Sequence, residues 1–125
     1  MPALRVPIVC VGLVLAASGG CRQSVEQRAA AMTGGNPARG KGLVQRYQCV
    51  SCHTIPGVPG EGSLGPPLEG IAGRQALAGK VPNEPRNLIR WIRDPQEIQP
   101  GSAMPTLGIS EQDGRDIAAF LYTLR

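Results

Sequence analysis

The residues best suited to chemistry lie in one short segment, Cys49-Val50-Ser51-Cys52-His53. It contains two of the four cysteines and the only histidine of the chain. Two thiols three residues apart on a helical turn face the same side. They can form thioether bonds to the two vinyl groups of a haem, and the next residue then directs its imidazole at the iron. The segment therefore has the spacing of a c-type haem attachment site.

Three other chemistries use a Cys-x-x-Cys pair, and each lacks support elsewhere in the sequence. A disulfide between Cys49 and Cys52 would close a loop too small to stabilise the fold much. A thioredoxin-like redox pair needs a strand before the motif, and no alternating β-branched run precedes Cys49. A zinc site needs a fourth ligand, and the other cysteines, Cys10 and Cys21, lie in the N-terminal segment. One covalent haem c is the expected cofactor.

A haem iron bound by His53 still needs a ligand on its opposite face. A second histidine is not available, which excludes bis-histidine ligation. Two of the three methionines precede the predicted domain, whereas Met104 lies in a loop bounded by Pro100-Gly101 and Pro105. Such a loop is rigid enough to present a thioether, and His/Met ligation is typical of electron-transfer haems with raised potentials. The sequence therefore predicts His53 and Met104 as the iron ligands.

The length and composition limit what else the chain can be. Its 125 residues allow one small domain, which excludes a large multidomain enzyme. There are only four aromatic residues (one Trp, two Tyr and one Phe) against 17 glycines and 12 prolines. A chain of this kind builds a core with difficulty unless a cofactor fills its centre.

The charge of the chain gives no reason to expect nucleic-acid binding. The formal net charge is +4, but the basic residues are scattered and do not alternate with aromatic side chains. From Pro37 onward only two lysines occur, Lys41 and Lys80. Two ionised haem propionates would roughly cancel the small positive excess of this region. We expect a mixed surface rather than a basic binding face.

The N-terminal segment indicates export. Arg5 is followed by a short apolar stretch and then by small residues up to Cys21, which is typical of a secretory signal peptide over residues 1–21. The 16 uncharged residues from position 6 to position 21 are fewer than the roughly 20 that a spanning helix needs. Cys21 resembles the lipidation site of bacterial lipoproteins, although cleavage after Ser18 is an alternative. The polar residues 22–36 are expected to be a flexible tether, or a frayed terminus without a role, before a domain over residues 37–125.

The remaining elements are predicted to be helices and loops, with no strand. Asn36-Pro37 is a helix start that leads to a helix ending near Tyr47. Asn83 is predicted to cap a second helix, which Pro95 ends at Asp94. Ser110, with an acidic residue three positions later, begins the last helix, whose buried face is predicted to comprise Ile117, Phe120, Leu121 and Leu124.

From Gly40 to Leu124 the chain resembles a small class I cytochrome c. The resemblance is carried by the Cys49–His53 segment, by Leu64-Gly65-Pro66-Pro67-Leu68-Glu69-Gly70 with Gly73-Arg74, by Leu88-x-x-Trp91-Ile92-x-x-Pro95 followed by Pro100-Gly101-x-x-Met104, and by Asp116-Ile117-Ala118-Ala119-Phe120-Leu121. It implies an all-α, cytochrome c-like fold. Three to four short helices would wrap around one covalently bound haem, joined by long Gly- and Pro-rich loops.

The resemblance also implies roles for individual residues. The Pro66 carbonyl would accept a hydrogen bond from His53 Nδ1–H. Trp91 would lie against the haem, donating to the methionine sulfur or to a propionate, or serving only as core packing. Arg74 would lie on the propionate side, with a solvated surface position as the alternative. Gly40 would let the first and last helices cross closely, against Ile117 and Phe120.

These features together indicate a non-enzymatic one-electron carrier, exported to the periplasm or the outer face of a bacterial cytoplasmic membrane and held there by a lipid. The resemblance implies a respiratory partner such as a terminal oxidase, or alternatively a periplasmic dehydrogenase. With so few lysines, the docking surface near the haem edge is expected to be weakly polar. The competing function is a ligand-binding or peroxidatic haem protein with an open sixth position, and a haem-free scaffold is a third.

Overall fold

The computed structural model describes residues 23–125, and helices dominate this range. The helices are α1 (Val25–Thr33), α2 (Pro37–Arg46), α3 (Pro85–Arg93), α4 (Pro95–Ile98) and α5 (Glu111–Leu121). Two 3₁₀ turns lie at Cys49–Ser51 and Ile71–Gly73, and the strands β1 (Ala76–Leu77) and β2 (Val81–Pro82) pair antiparallel. The all-α class with long Gly- and Pro-rich loops is confirmed, although the five described helices exceed the three to four expected.

The small β pair corrects the expectation that no strand would form. Leu77 and Val81 pair across a tight turn whose two central residues both have positive φ, Ala78 at 50° and Gly79 at 63°. A turn with positive φ at both central positions matches the twist of a two-stranded ribbon. The sequence hid it because an Ala-Gly pair is not among the usual signals for this turn.

Helices α2 and α5 cross at the centre of the fold. Asn36 caps α2 as predicted, accepting a hydrogen bond from the Arg39 amide at 3.1 Å, and Pro37 occupies the first helical position. A Cβ added to Gly40 would collide with the Asp116 carbonyl and lie 2.9 Å from Cβ of Phe120. The close crossing at Gly40 is therefore confirmed against Phe120, with the Asp116 backbone rather than Ile117 as the tightest neighbour.

A buried carboxylate joins these two helices. The side chain of Asp116 is 1% exposed, and its Oδ1 accepts hydrogen bonds from the Asn36 amide at 2.7 Å and from Gln112 Nε2 at 3.0 Å. Its Oδ2 forms an ion pair with Arg39 Nη1 at 3.2 Å, without hydrogen-bond geometry. A buried carboxylate is costly unless it is paired, so this set of partners fixes the start of α2 on α5.

Replacing Gly40 by alanine should destabilise the haem-loaded protein, because the new methyl group overlaps the backbone of α5. We expect a loss of about 2–3 kcal/mol in the free energy of unfolding, measured by denaturant titration. Gly42→Ala in the same helix is the matched control, since nothing lies within 4 Å of its added Cβ. Alanine is the better helix former, so this control should gain roughly 0.5–1 kcal/mol. Similar effects of the two changes would contradict the close crossing.

The expectation of a flexible tether is wrong for residues 25–33, which form α1 and pack on α5. Ser24 and Gln27 form a reciprocal capping box, and Gly34 ends the helix in the left-handed conformation. Ala29 and Thr33 are both 2% exposed. The sequence concealed this helix because its buried face consists of these two small side chains rather than of an apolar stripe. The predicted signal peptide and Cys21 lie outside the described residues.

The cap of helix α3 lies one residue later than predicted. Glu84 occupies the cap position without a side-chain hydrogen bond, and Pro85 begins the helix. Asn83 instead donates from Nδ2 to the carbonyls of Ile71 at 2.8 Å and Arg74 at 2.9 Å. Its Oδ1 accepts from the Tyr122 hydroxyl at 3.1 Å, and burial raises the pKa of Tyr122 to about 12. Asn83 therefore ties the end of the chain to the 3₁₀ turn at Ile71–Gly73.

Helix α5 begins as predicted, with Ser110 accepting a hydrogen bond from the Asp113 amide at 3.1 Å. The Asp113 carboxylate does not complete a capping box but accepts a hydrogen bond from the Tyr47 hydroxyl at 2.7 Å, which raises the pKa of Tyr47. Ile117, Phe120 and Leu121 are buried, whereas Leu124, beyond the end of the helix, is half-buried.

No helix within residues 23–125 has the length and apolar character to cross a bilayer.

Candidate functional site

The Cys49–His53 segment forms a tight turn directly after α2. Gln48 adopts the left-handed conformation at φ 59°, which redirects the chain into the 3₁₀ turn. The amides of Cys52 and His53 both donate to the Cys49 carbonyl, at 3.2 and 2.9 Å. Both thiols are free and half-buried, and Cys49 packs against the hydrophobic core. Burial, with a smaller contribution from the neighbouring Cys52, raises the pKa of the Cys49 thiol.

The imidazole of His53 is held in one orientation by the loop that follows. Its Nδ1 lies 2.7 Å from the Pro66 carbonyl oxygen. Because a carbonyl can only accept, Nδ1 must carry a proton, and in the neutral imidazole Nε2 then keeps its lone pair. Gly65 lies against the ring so closely that a Cβ there would overlap Cε1. The loop therefore fixes both the tautomer and the plane of the ring, as metal-ligating histidines require.

This loop is attached to the Cys49–His53 turn by backbone hydrogen bonds. The amide of Gly62 donates to the Val50 carbonyl at 3.1 Å, and the amide of Gly65 donates to the Cys52 carbonyl at 2.8 Å. Thr54 contributes its hydroxyl, which donates to the Gly62 carbonyl at 3.0 Å. Pro66 is thus positioned by the turn that carries the histidine.

Arg74 supports the same loop from outside. Its Nη2 donates to the carbonyl of Pro67 and, at 3.3 Å, to that of Glu69. The Arg74 side chain is therefore not a freely solvated surface arginine, because its guanidinium binds two backbone carbonyls of the loop. Sequence reasoning assigned Arg74 only a propionate or solvent contact and missed this structural role, because carbonyl acceptors leave no sequence signal.

Met104 lies in an irregular loop between α4 and α5, with its side chain half-buried. Its amide donates to Ser102 Oγ at 3.2 Å, and its carbonyl accepts from Gln96 Nε2 at 3.0 Å. Two residues later, Thr106 donates its hydroxyl to Asp94 Oδ1 at 2.9 Å. The sequence predicted that prolines bound this loop, but it did not predict the hydrogen bonds that Gln96 and Asp94 form with it.

Trp91 lies on α3 between the buried residues Leu88 and Ile92, and is itself half-buried against the core. Within residues 23–125 no side chain or backbone group accepts a hydrogen bond from its indole N–H. Trp91 Nε1 is not fully buried either, so its N–H reaches solvent and is free to donate to water or to a bound group.

These residues fit a covalently bound haem better than the alternatives. The Cys49–His53 turn offers two thiols and an oriented imidazole, and a separate loop offers the Met104 thioether; these groups suit thioether attachment and iron ligation. A redox-active thiol pair needs a lowered thiol pKa, and that of Cys49 is raised. Among the described residues no group of three or more His, Cys, Asp or Glu side chains forms a metal site. A bound haem supplies a one-electron iron couple at this position.

Comparison with known proteins gives the same result. The family model for cytochrome c matches residues 37–125. Cytochrome c2 of Rhodopila globiformis is 32% identical over 104 residues, covering 73% of this chain and 95% of that protein. Cytochrome c oxidase subunit 2 of Alkalihalophilus pseudofirmus is 32% identical over 88 residues, covering 70% of this chain. That of Bacillus sp. strain PS3 is 28% identical over 82 residues.

The extent of these matches differs. This chain spans only 25% and 23% of the two oxidase subunits, so it corresponds to a part of each, whereas it spans nearly all of the cytochrome c2. The family match covers the turn with both thiols, the histidine loop and the methionine loop. The chain therefore belongs to the cytochrome c family, as a class I c-type cytochrome that binds haem c covalently.

Proposed function

We propose that this protein is an exported one-electron carrier whose haem is attached through Cys49 and Cys52 and ligated by His53 and Met104. The observation that carries the proposal is the hydrogen bond between His53 Nδ1 and the Pro66 carbonyl, because it leaves Nε2 available in a fixed orientation. Met104 lies in a loop held by side-chain hydrogen bonds. A pair of permanent ligands keeps the geometry the same in both oxidation states, which suits electron transfer.

The same arrangement disfavours ligand-binding or peroxidatic chemistry. Such chemistry needs an open sixth position and an acid or base beside it. The chain has no second histidine. The Met104 carbonyl accepts a hydrogen bond from the Gln96 side chain, which holds the loop at the methionine. In this proposal Trp91 donates its indole N–H to the methionine sulfur or a propionate, and Arg74 offers its remaining N–H groups to a propionate.

For the electron partner we propose a respiratory complex, with a terminal oxidase favoured over a periplasmic dehydrogenase. Two relatives are named as cytochrome c oxidase subunit 2, which supports an oxidase context. Leu64 is 89% exposed and directly precedes Gly65, which lies against the His53 ring. An exposed leucine beside the iron ligand, and few lysines in the domain, favour a weakly polar docking surface whose affinity depends little on salt.

We further propose that residues 1–21 are a signal peptide and that Cys21 is lipidated after export. The packing of α1 changes what such an anchor would do. Only three residues separate Cys21 from Val25, the first residue of α1, so the anchor could lie no further than about 14 Å from the packed helix. The lipid would then hold the α1 side of the domain near the membrane instead of letting the domain rotate freely.

Ligand spectroscopy of the haem-loaded protein tests the carrier proposal. We expect a methionine-sulfur charge-transfer band in the ferric spectrum and no reaction of the ferrous protein with carbon monoxide, because both axial positions are filled. A five-coordinate wild-type spectrum, or rapid carbon monoxide binding, would exclude the carrier.

The mass of the mature protein, compared with that of Cys21→Ala, separates lipidation at Cys21 from cleavage after Ser18.

The orientation of the histidine can be tested with Gly65→Ala. The added methyl group would press on the imidazole and break its hydrogen bond to Pro66, making the ring a weaker donor to ferric iron. We expect the midpoint potential to rise by about 60 mV, which is a tenfold shift in a one-electron equilibrium. Gly73→Ala, whose added Cβ has nothing within 4 Å, is the control. An unchanged potential in Gly65→Ala would show that the loop does not tune the histidine.

A further inference from the structure

The side chain of Gln96 is bonded to three backbone groups of the loop that carries Met104. Its Nε2 donates to the carbonyls of Ser102 at 2.8 Å and Met104 at 3.0 Å. Its Oε1 accepts from the Gly101 amide at 2.9 Å. Gln96 is itself held in place, because its backbone amide donates at 3.1 Å to Oδ1 of Asp94, the residue that caps the short helix α4.

These three hydrogen bonds require a primary amide. The carbonyls of Ser102 and Met104 can only accept, so the side-chain atom that faces them is the amide nitrogen. The Gly101 amide can only donate, so the atom that faces it is the amide oxygen. A carboxylate at this position would lose both donors and direct negative charge at two carbonyls. An aliphatic side chain would leave all three backbone groups without their partner.

The loop has few other means of keeping its shape. Residues from 102 to 110 form no helix or strand. The Met104 amide is bonded only to Ser102 Oγ, and the Met104 carbonyl accepts from Gln96, so neither backbone group of this residue is fixed by another backbone group. The conformation that presents the thioether therefore depends on side-chain hydrogen bonds, with Gln96 supplying the largest share.

We propose that Gln96 is a positioning residue that keeps Met104 on the iron, and that its three hydrogen bonds set how readily the thioether is displaced. This inference rests on the ligation by Met104 proposed above. A ligand that competes with methionine binds only when the loop opens, so its apparent affinity rises with the open fraction. Loss of Gln96 should therefore appear as tighter binding of an external ligand.

Titration of the ferric, haem-loaded protein with imidazole tests the proposal at pH 7. We expect Gln96→Leu to bind imidazole at least about tenfold more tightly than the wild type, as the loss of several hydrogen bonds of ordinary strength implies. Gln99→Leu is the matched control, because among the described residues the Gln99 side chain makes no hydrogen bond. It should stay within about twofold of the wild type. A purely structural role would lower thermal stability without changing imidazole affinity.

Gln96→Glu provides a second test that does not depend on the leucine variant being stable. Its carboxylate should weaken the loop at pH 7, whereas protonation near pH 4.5 restores one donor, so its affinity for neutral imidazole should fall back towards the wild-type value. If the methionine-sulfur band is present but both Gln96 variants bind imidazole within twofold of the wild type at either pH, the role of Gln96 is overturned. If the wild type itself lacks that band, ligation by Met104 fails and this proposal fails with it.

Discussion

Replacing Met104 by alanine is expected to remove the methionine-sulfur band and to lower the midpoint potential by on the order of 0.2 V, a fraction of the ~0.8 V range that axial ligands span. The neutral sulfur favours ferrous iron, so its loss stabilises the ferric state. The ferrous variant should also bind carbon monoxide, because one axial position becomes free. Redox titration and visible spectroscopy of the haem-loaded variant measure these effects.

Met32→Ala is the control for this experiment. Met32 is the other methionine outside the predicted signal peptide, and this residue of α1 is 53% exposed. Its replacement should leave the spectrum, the potential and the carbon monoxide response unchanged. If Met104→Ala kept the band and Met32→Ala lost it, the ligand assignment would be wrong.

Removing both thiols by Cys49→Ala together with Cys52→Ala should yield a chain that lacks haem and is largely unfolded. The described core contains one buried phenylalanine and one buried tyrosine, and its other large members are aliphatic. The long loop from Thr54 to Gly70 contributes three aliphatic side chains to the core, Ile55, Val58 and Leu68, and no aromatic one. We therefore expect a bound haem to supply much of the missing core. Circular dichroism of the exported double variant should show loss of most helical signal.

Ser51→Ala, within the same turn, separates haem loss from disturbance of the turn itself. Ser51 is exposed and its hydroxyl donates to the Gln48 carbonyl at 2.7 Å, so its loss should cost about 1 kcal/mol at most. The variant should keep its haem and its fold. A double cysteine variant that folds as well as Ser51→Ala would support a haem-free scaffold instead.

Local signals in the sequence were sufficient for the main helices. Asn36-Pro37 and Ser110 predicted the starts of α2 and α5, because a capping side chain and its helix are neighbours in sequence. Asn83 failed as a cap, since its amide is used by two carbonyls and a tyrosine far away in sequence. Helix α1 was not predicted for a similar reason, because it is stabilised by the packing of two small residues on α5.

Some residues of the candidate site could likewise be predicted from local sequence signals, whereas others could not. The thiol spacing and the imidazole are adjacent in sequence, so Cys49, Cys52 and His53 could be predicted from their order alone. Pro66 and Met104 needed the resemblance or the elimination of competing ligands. Gln96 could not be found, because its partners are backbone carbonyls and an amide, which any residue type can provide.

A denaturing gel stained for haem peroxidase activity tests most directly whether this chain carries a covalently attached haem. Combined with the intact mass of the exported protein, it should show a stained band at the position of the chain and a mass increased by one haem. A colourless mature protein, with both thiols free and no added mass, would contradict the claim.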